Sequence, residues 1–365
     1  MSDTYIYVTA DTAQKFAEEL LESAGCRKED ASIIAQALVL ADLRGIDTHG
    51  INRLPGYLDR VKAGVLNVTP DLHLIQKTPV MGLIDAQNTF GFLAGCKAVD
   101  EAINMATTYG VGIVAVKNSG HYGMGGTYCL RAMEKGFGAM AFTNSSRSMP
   151  AWGSKEPLLG TSPFAVGLPG GQNGDFLLDM SPSVVARGKI RKAARRGESI
   201  PEGWALDEEG RTTTDPVAAL KGVVLPIGGP KGSGIAMMMD IFGGLMSGAS
   251  FAGGVNDQYH VLDKPQGVGH FFMVFRPDVF LESTTEYTQR MDLLMHKVRT
   301  SDPAGGVNRV YTPGEIEKLT EERRRVDGIP FTREEVNRLE TLAEEWGCGV
   351  KLGPQEVVGS IQSRN

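Results

Sequence analysis

The feature that most constrains the fold is a regular alternation of strand-like and helix-like segments between residues 79 and 180. Apolar runs typical of buried strands occur at residues 80–84, 111–116, 137–142, 164–168 and 176–180. Helical periodicity occupies residues 91–109 and 124–135. Because a buried strand needs a layer of structure on each face, this alternation predicts an α/β layer architecture. No GxGxxG motif follows the first strand, so the ordinary Rossmann fingerprint is absent.

Both ends of the chain are instead helical in pattern. Predicted helices occupy residues 10–25, 28–44, 50–64, 284–298, 313–325 and 332–346. A chain of 365 residues is long enough for two domains, or for one large domain with an insertion. Because the helical ends flank the α/β middle, we expect residues 1–75 and 281–365 to form one discontinuous helical domain. Residues 76–280 are expected to form the α/β domain.

Charge and cysteine usage exclude several classes of protein. The net charge of -6 gives no electrostatic reason to expect nucleic acid or an anionic membrane as a partner. The four cysteines contain no CxxC pair, which argues against a disulfide framework or a structural zinc site and fits a reducing cytosol. The N-terminus lacks a signal-peptide pattern, and no apolar run approaches the roughly 18 residues of a membrane span. No Cys, His and Asp cluster has metal-ligand spacing, so we expect a cytoplasmic protein without a metal.

Polar, glycine-rich segments follow several of the predicted strands. One of them carries His121, and two others carry Ser145 and Thr161. A buried strand that ends in a glycine-rich loop with a titratable ring is a common place for chemistry in α/β enzymes. The backbone N–H groups of such loops can also close around a phosphate. Ordinary turns have the same composition, so both interpretations stand.

A second polar cluster lies between the second and third predicted helices, at residues 47–50, with Arg53 one turn further on. Thr48, His49 and Arg53 bring a hydroxyl, an imidazole and a guanidinium to a helix start. Such a group would suit an acid–base residue beside an arginine that binds a carboxylate. A helix N-cap followed by surface polar residues is the alternative.

Three further charged features are also open to two interpretations. Asp179, at the end of an apolar run, is either a buried structural acceptor or a group that orients a histidine. The basic helical segment 187–196 is interpreted as a solvated helix face rather than a ligand site. Lys231 lies in the glycine-rich stretch 228–234, ahead of a Met-rich helix predicted at 235–247. That arrangement suits a phosphate, although the spacing is not that of a Walker A motif.

These motifs together resemble one known family. In chain order they are DTHG at 47–50 with Arg53, NSGHYG at 118–123, GTSP at 160–163, LDM at 178–180, VARGK at 185–189, PEGWALD at 201–207 and GPKG at 229–232. The series resembles the type-2 malate/L-lactate dehydrogenase family, which includes ureidoglycolate, sulfolactate and diketogulonate enzymes and a cyclic-imine reductase. The resemblance covers nearly the whole chain, and the ordered series is far more specific than any single motif.

The resemblance implies an α/β, non-Rossmann nicotinamide-binding fold with a mixed sheet, in which the α/β domain binds the cofactor. It also implies a homodimer and reversible hydride transfer between NAD(P)H and a small 2-oxo acid. NAD is the expected cofactor and NADP the alternative, for which Arg147 could pair with the 2′-phosphate.

The resemblance also assigns roles to individual residues. His49 resembles the acid–base histidine of the family, with Thr48 and Asp179 as a relay. His121 is similar to a second active-site histidine, and Arg53 matches the arginine that binds the substrate carboxylate. The residues expected to contact the cofactor are Ser145, Thr161, Asp179, Met180, Ser181 and Lys231. The chain departs from the usual residues of the family at Thr48, Ser162, Pro230 and Ser233, which bears on the substrate and on the details of cofactor contact.

Elementary chemistry is consistent with these roles. Reduction of a 2-oxo acid needs a hydride at the carbonyl carbon and a proton on its oxygen, and histidine titrates in the range that suits the proton. An arginine that fixes the carboxylate presents the carbonyl face to the nicotinamide. A ketimine reductase with the same residues is the alternative enzyme. A nucleotide-binding protein that has lost catalysis is the third hypothesis, against which intact His49, Arg53 and His121 argue.

Overall fold

The computed structural model describes residues 5–353. The strands are β1 (Tyr5–Val8), β2 (Leu74–Thr78), β3 (Met81–Asp85), β4 (Val111–Ser119), β5 (Gly138–Thr143), β6 (Arg147–Met149), β7 (Leu159–Gly160), β8 (Phe164–Leu168), β9 (Phe176–Met180), β10 (Ala205–Leu206), β11 (Thr212–Thr213), β12 (Val223–Val224), β13 (Val268–Phe275) and β14 (Ile329–Thr332). The α-helices are α1 (Ala10–Ser23), α2 (Lys28–Leu43), α3 (Leu54–Lys62), α4 (Gly91–Tyr109), α5 (Gly126–Met133), α6 (Arg187–Arg196), α7 (Pro216–Lys221), α8 (Pro230–Met239), α9 (Thr284–Arg299), α10 (Glu315–Asp327) and α11 (Arg333–Glu345). Two 3₁₀ turns, Asp47–His49 and Ile51–Arg53, precede α3, and a π-helical segment, Asp240–Leu245, continues α8.

The centre of the molecule is a seven-stranded sheet in the order β2-β3-β4-β13-β5-β8-β9. Its only parallel neighbours within residues 5–353 are β3 and β4, so the sheet is mixed, as the resemblance implied. Helix α4 lies directly on β4, because a Cβ at Gly112 would be 2.1 Å from the carbonyl oxygen of Ala102. On the other face, Phe242 of the π-helical segment packs on Phe271 of β13, with ring centroids 5.0 Å apart. The predicted α/β layer architecture is therefore confirmed.

Strand β13 explains why β4 is longer than the predicted run at 111–116. It pairs antiparallel with β4 up to Val268 opposite Ser119, and with β5 on its other side. The backbone of Asn118 and Ser119 is therefore held in the sheet, although their composition is typical of a loop. The glycine-rich loop with His121 begins only at residue 120.

One apolar cluster joins segments from both ends of the chain. Phe16 and Leu20 of α1 and Ile34 of α2 pack in the same core as Phe331 of β14 and Leu339 of α11. Strand β1 pairs antiparallel with β14, which ties the two ends by backbone hydrogen bonds as well. Helix α9 instead contacts the turn between β8 and β9, where Asp292 accepts backbone N–H bonds.

A small third unit carries α6, α7 and the two-residue strands β10, β11 and β12. Its own apolar cluster includes Met149, Val185, Ile190 and Val224. Strands this short leave no measurable periodicity in a sequence, and none was predicted here. Within residues 5–353, no helix is both long and apolar enough to cross a membrane.

Candidate active site

The segment that carries His49 is shaped by the end of α2. Gly45, with a φ of 79°, stops the helix in the left-handed conformation that glycine adopts readily. The buried Asp42 then accepts a hydrogen bond of 2.9 Å from the backbone N–H of Ile51. Gly50 passes so close to this carboxylate that a Cβ would be 1.7 Å from its Oδ1 atom. For this reason the chain forms two 3₁₀ turns here, and α3 begins at Leu54 rather than near residue 50 as predicted.

These turns bring the polar cluster at 47–53 together. The Oγ1 atom of Thr48 lies 2.9 Å from Nδ1 of His49. The Nε–H of Arg53 donates to the carbonyl oxygen of Thr48 at 2.6 Å, which folds the arginine back over the turn. Thr48 thus orients both the imidazole and the guanidinium, one through its side chain and the other through its backbone.

His121 is held in one tautomer by its neighbours. Its Nδ1 atom accepts the backbone N–H of Gly123 at 3.3 Å and lies 2.7 Å from the hydroxyl of Tyr57. Because a backbone N–H can only donate, Nδ1 is the acceptor and a neutral ring carries its proton on Nε2. The backbone N–H of His121 donates to Oε1 of Gln266 at 3.0 Å, which fixes the loop. The free Nε2–H is therefore available to an acceptor in the site.

The two histidines, 72 positions apart in sequence, meet in the fold. Their rings stack with centroids 5.5 Å apart and an interplanar angle of 23°. Burial and then the charge of Arg53 lower the pKa of His49 to about 3. Burial and the charges of Arg53, His49 and His270 hold the pKa of His121 well below its usual value. Both rings are therefore neutral near pH 7 in the protein alone, which suits proton acceptance and N–H donation.

Arg53 lacks a carboxylate partner among residues 5–353. Burial lowers its pKa from the ordinary value, and the neighbouring charge of Arg191 acts in the same direction. A guanidinium remains protonated at neutral pH even so. An unpaired guanidinium beside two neutral imidazoles is suited to bind an anionic ligand.

Asp179 lies on β9, at the start of the segment expected to contact the cofactor. Its Oδ2 atom accepts the backbone N–H of Gly126 at 2.7 Å, at the start of α5. No hydrogen bond joins it to His49 or His121 in the part of the chain that the structure describes. The relay that the resemblance implied is therefore not a direct contact. Burial raises the pKa of Asp179 to about 6, although its side chain remains solvent-accessible.

We expect Asp179→Asn to raise the free energy of unfolding of the protein without a bound cofactor. Between the ordinary pKa of 3.8 and the folded value of about 6, the unfolded chain has lost a proton that the folded chain keeps. Stability therefore falls as pH rises through this window, and the penalty is complete above it. The gain from Asn, on the order of 1 kcal/mol after allowance for solvent screening, is present at about pH 8 and absent at about pH 4. Thermal melts at both pH values measure it, with exposed Asp263→Asn as control. An equal gain at both would exclude ionisation as the cause.

The residues expected to contact the cofactor lie on segments that pack on one another. The backbone N–H of Ile227 donates to the carbonyl oxygen of Pro182 at 2.8 Å, which holds the Ser181 segment against the loop before α8. Helix α8 begins at Pro230, so Lys231 lies in its first turn and not in a loop before residue 235 as predicted. Its side chain is exposed, at a helix N-terminus that has no side-chain cap. The ammonium group of Lys231 and the free backbone N–H groups of the first turn of α8 therefore lie at the same helix end.

Ser145 and Thr161 lie on the neighbouring segments β5–β6 and β7–β8. The Ser145 Oγ atom is 3.5 Å from Oγ of Ser162, and a Cβ at Gly160 would be 2.3 Å from the same Ser145 atom. The β6–β7 loop reaches α8, because the backbone N–H of Trp152 donates to Oγ of Ser233 at 3.0 Å. The segments that carry Ser145, Thr161 and Ser181 are thereby linked to the helix that carries Lys231. Met180 is half-buried beside Asp179, and Arg147 is exposed on β6.

Three site residues were not anticipated from the sequence: Tyr57, Gln266 and Tyr259, whose ring centroid lies 5.6 Å from the guanidinium carbon of Arg53. Tyr57 could have been found, since it follows Arg53 by four positions and so shares its helix face. Gln266 and Tyr259 lie in a loop with no periodic signal, more than 130 positions after His121. The described residues 5–353 contain no group of three His, Cys, Asp or Glu side chains that could hold a metal ion.

Comparison with known proteins gives the family of the chain. The family model for malate/L-lactate dehydrogenase matches residues 8–340. The chain belongs to this family. It is 35% identical to L-sulfolactate dehydrogenase of Methanocaldococcus jannaschii, over 93% of this chain and 97% of that protein. It is 36% identical to malate dehydrogenase of Pyrococcus abyssi, over 95% and 97% of the two chains.

Solved structures of similar sequence have the same fold. The sulfolactate dehydrogenase of M. jannaschii superposes with a TM-score of 0.88 at 34% identity, over 94% of this chain and 98% of that one. A delta1-piperideine-2-carboxylate reductase from Pseudomonas syringae pvar. tomato superposes with a TM-score of 0.84 at 27% identity, over 92% and 99%. The protein is thus a dehydrogenase of small hydroxy and oxo acids by family.

Proposed function

We propose that the protein transfers a hydride reversibly between NAD(P)H and a small 2-oxo acid, to give the 2-hydroxy acid. The observation that carries this proposal is the meeting of two neutral histidines, 5.5 Å apart, beside the unpaired guanidinium of Arg53. Such a site offers a proton-transfer group, a donor to a carbonyl oxygen and an anchor for a carboxylate. Those are the three protein functions that the reaction needs.

The cofactor is proposed to lie along Ser145, Thr161, Asp179, Met180, Ser181 and Lys231. The fit rests on the exposed lysine in the first turn of α8 and on Gly160, which leaves no room for a Cβ beside Ser145. A lysine at a helix N-terminus is suited to a pyrophosphate. Among residues 5–353 the seven-stranded sheet has one parallel pair of strands, which supports a nicotinamide site of non-Rossmann type. We favour NAD over NADP, because Arg147 is the sole basis for a 2′-phosphate contact.

In the proposed mechanism, Arg53 binds the carboxylate and orients the carbonyl. The Nε2–H of His121 donates to the carbonyl oxygen, since Tyr57 and Gly123 occupy its Nδ1. A nicotinamide coenzyme, when bound, supplies or accepts the hydride. His49 exchanges the proton of the substrate oxygen, and Thr48 holds its ring in orientation. When a carboxylate neutralises Arg53, the repulsion that lowers the pKa of His49 decreases, which moves this ring toward the range of an effective acid.

A substrate screen tests the proposal. NADH and NADPH oxidation would be followed with pyruvate, oxaloacetate, sulfopyruvate and piperideine-2-carboxylate. Turnover of at least one 2-oxo acid is expected, with a higher kcat/KM for NADH than for NADPH. Absence of turnover with all four compounds would leave the inactive-protein hypothesis. The imine reductase is the second candidate, favoured by the structural similarity to the piperideine-2-carboxylate reductase. Turnover of the imine alone would establish it.

Lys231→Ala is expected to raise the KM for the cofactor about tenfold, with a much smaller change in the KM for the substrate. The loss of one charge-assisted contact to a phosphate accounts for an effect of this size. Steady-state kinetics with each substrate varied in turn measure it. Lys221→Ala, which removes an exposed charge from the last turn of α7, is the matched control. If the KM for the cofactor is the same in both variants, Lys231 is only a surface charge.

We propose that two copies associate through the exposed face of α8 and the π-helical segment. Met237, Ile241 and Leu245 recur every four residues there, and each is more than 40% exposed. A contiguous apolar patch of this kind is typical of an interface. Light scattering on the purified protein would give twice the chain mass of 39.2 kDa for a dimer, and the chain mass would contradict it.

The domain limits at residues 75 and 280 remain predictions.

A further inference from the structure

Two arginines from different parts of the fold flank one aromatic ring beside the candidate active site. The guanidinium carbon of Arg53 lies 5.6 Å from the ring centroid of Tyr259, and that of Arg191 lies 5.9 Å from the same centroid. Arg191 belongs to the basic helix α6, which the sequence suggested to be a solvated face. Because both arginines contact the Tyr259 ring, this part of α6 lies close to Arg53, the residue proposed to bind the substrate carboxylate.

Buried contacts fix the position of the ring. Arg60, 1% exposed, donates 2.7 Å hydrogen bonds to the carbonyl oxygens of Val261 and Lys264 and so clamps the loop that carries Tyr259. Gly56 on α3 lets the ring approach, because a Cβ there would be 3.0 Å from Cε1 of Tyr259. The Arg–Tyr–Arg arrangement is therefore built into the fold rather than formed by free side chains.

Helix α6 also lies close to the 3₁₀ turn that carries Thr48 and His49. A Cβ at Gly188, in its first turn, would lie 3.8 Å from the Cγ2 methyl group of Thr48. Arg191 follows Gly188 by three positions and therefore lies one turn further along the same side of the helix. Its positive charge acts on Arg53, whose pKa it lowers. Two cations thus lie beside the proposed substrate site, Arg53 in the 3₁₀ turn before α3 and Arg191 on α6.

Neither cation is neutralised by the protein within residues 5–353. No carboxylate forms an ion pair with Arg53 or Arg191 in this part of the chain. The loop that carries Tyr259 has two acidic residues. The Oδ1 atom of Asp257 already accepts the backbone N–H groups of Tyr259 and His260, and Asp263 is exposed. Two like charges held near one another without a counter-ion are costly, and a ligand with two negative charges relieves that cost.

Building on the proposed function, we propose that Arg191 is a specificity-determining residue that binds a second acidic group on the substrate. The enzyme would then select 2-oxo acids with a carboxylate or sulfonate at the far end over those with one acidic group. The guanidinium carbons of Arg53 and Arg191 lie 5.6 and 5.9 Å from the Tyr259 centroid, so the distance between them cannot exceed the total of these two values. A three- or four-carbon diacid, with a charge-assisted N–H···O bond of about 2.8 Å at each end, is long enough for any gap up to that limit.

The test is a comparison of substrate pairs in three proteins. kcat/KM would be measured for oxaloacetate, sulfopyruvate, pyruvate and 2-oxobutyrate with the wild type, Arg191→Gln and Lys192→Gln. Lys192→Gln removes the same charge from the next position of α6, which faces another direction. In Arg191→Gln, the ratio of diacid to monoacid kcat/KM is expected to fall roughly ten- to a hundredfold. Lys192→Gln keeps the wild-type ratio.

Each outcome decides a separate question. A fall for oxaloacetate alone identifies the second group as a carboxylate, and a fall for sulfopyruvate alone identifies it as a sulfonate. Equal losses for diacids and monoacids, or an unchanged ratio, overturn the role of Arg191 while the proposed function stands. No turnover of any 2-oxo acid by the wild type overturns the proposed function itself. If Arg191→Gln is too slow to assay, competitive inhibition by tartronate against oxamate, a dianion and a monoanion, gives the same ratio from binding.

Discussion

His49→Asn is expected to lower kcat by about a hundred- to ten-thousandfold, the usual effect of removing a general acid–base group. Asparagine keeps a hydrogen-bonding group of similar size next to Thr48 but cannot exchange a proton. In the oxidation direction His49 accepts the proton of the alcohol, so the wild-type rate falls as pH drops through the pKa of the ring. That acidic limb should disappear in the variant. Stopped-flow or steady-state pH–rate profiles measure both effects.

His121→Asn is the matched variant, because it removes the other ring of the stacked pair. His121 is held by Tyr57 and Gly123 with its Nε2–H free, a geometry that polarises a carbonyl oxygen. Its loss should mainly raise the KM for the substrate and leave the acidic limb in place. If the limb is lost only in His121→Asn, the two histidines exchange roles. Melting temperatures near that of the wild type are needed for both variants.

Arg53→Met is expected to lower kcat/KM for a 2-oxo acid by roughly a hundred- to a thousandfold, with a large rise in KM. The charge of the arginine acts on both imidazoles, and a bidentate contact with a carboxylate comprises two charge-assisted hydrogen bonds. Arg53→Lys keeps the charge without the planar fork, so its loss should be intermediate. Lys62→Met, an exposed charge at the end of α3, is the control.

A second effect separates binding from folding in Arg53→Met. Arg53 lowers the pKa of both His49 and His121, so its removal should raise both. The acidic limb of the oxidation profile would then move to higher pH, in the direction opposite to that produced by adding a positive charge. An arginine with a purely structural role would change stability and leave the limb in place. An unmoved limb with unchanged KM would therefore contradict the assignment of Arg53.

Much of the fold is readable from the sequence because local rules determine it. Gly45, Gly64 and Gly110 have the left-handed conformation at the ends of helices, where the predicted helical segments 28–44, 50–64 and 91–109 also end. The apolar runs became strands, and the mixed sheet agrees with what the family resemblance implied. The central strand β13, the short strands β10 to β12 and the start of α8 at Pro230 were not predicted. Two-residue strands have no periodicity, and Gly229 gives no cap signal.

For the site, the sequence by itself determined which residue types are present and in what order. Thr48, His49 and Arg53 are neighbours in sequence, and one turn of backbone holds them together. The meeting of His49 with His121, the clamp on the Tyr259 loop and the separation of Asp179 from both histidines depend on how distant segments pack. Only tertiary structure decides these contacts, because the burial of an apolar core fixes the relative positions of α2, β4 and β9, and no local pattern records them.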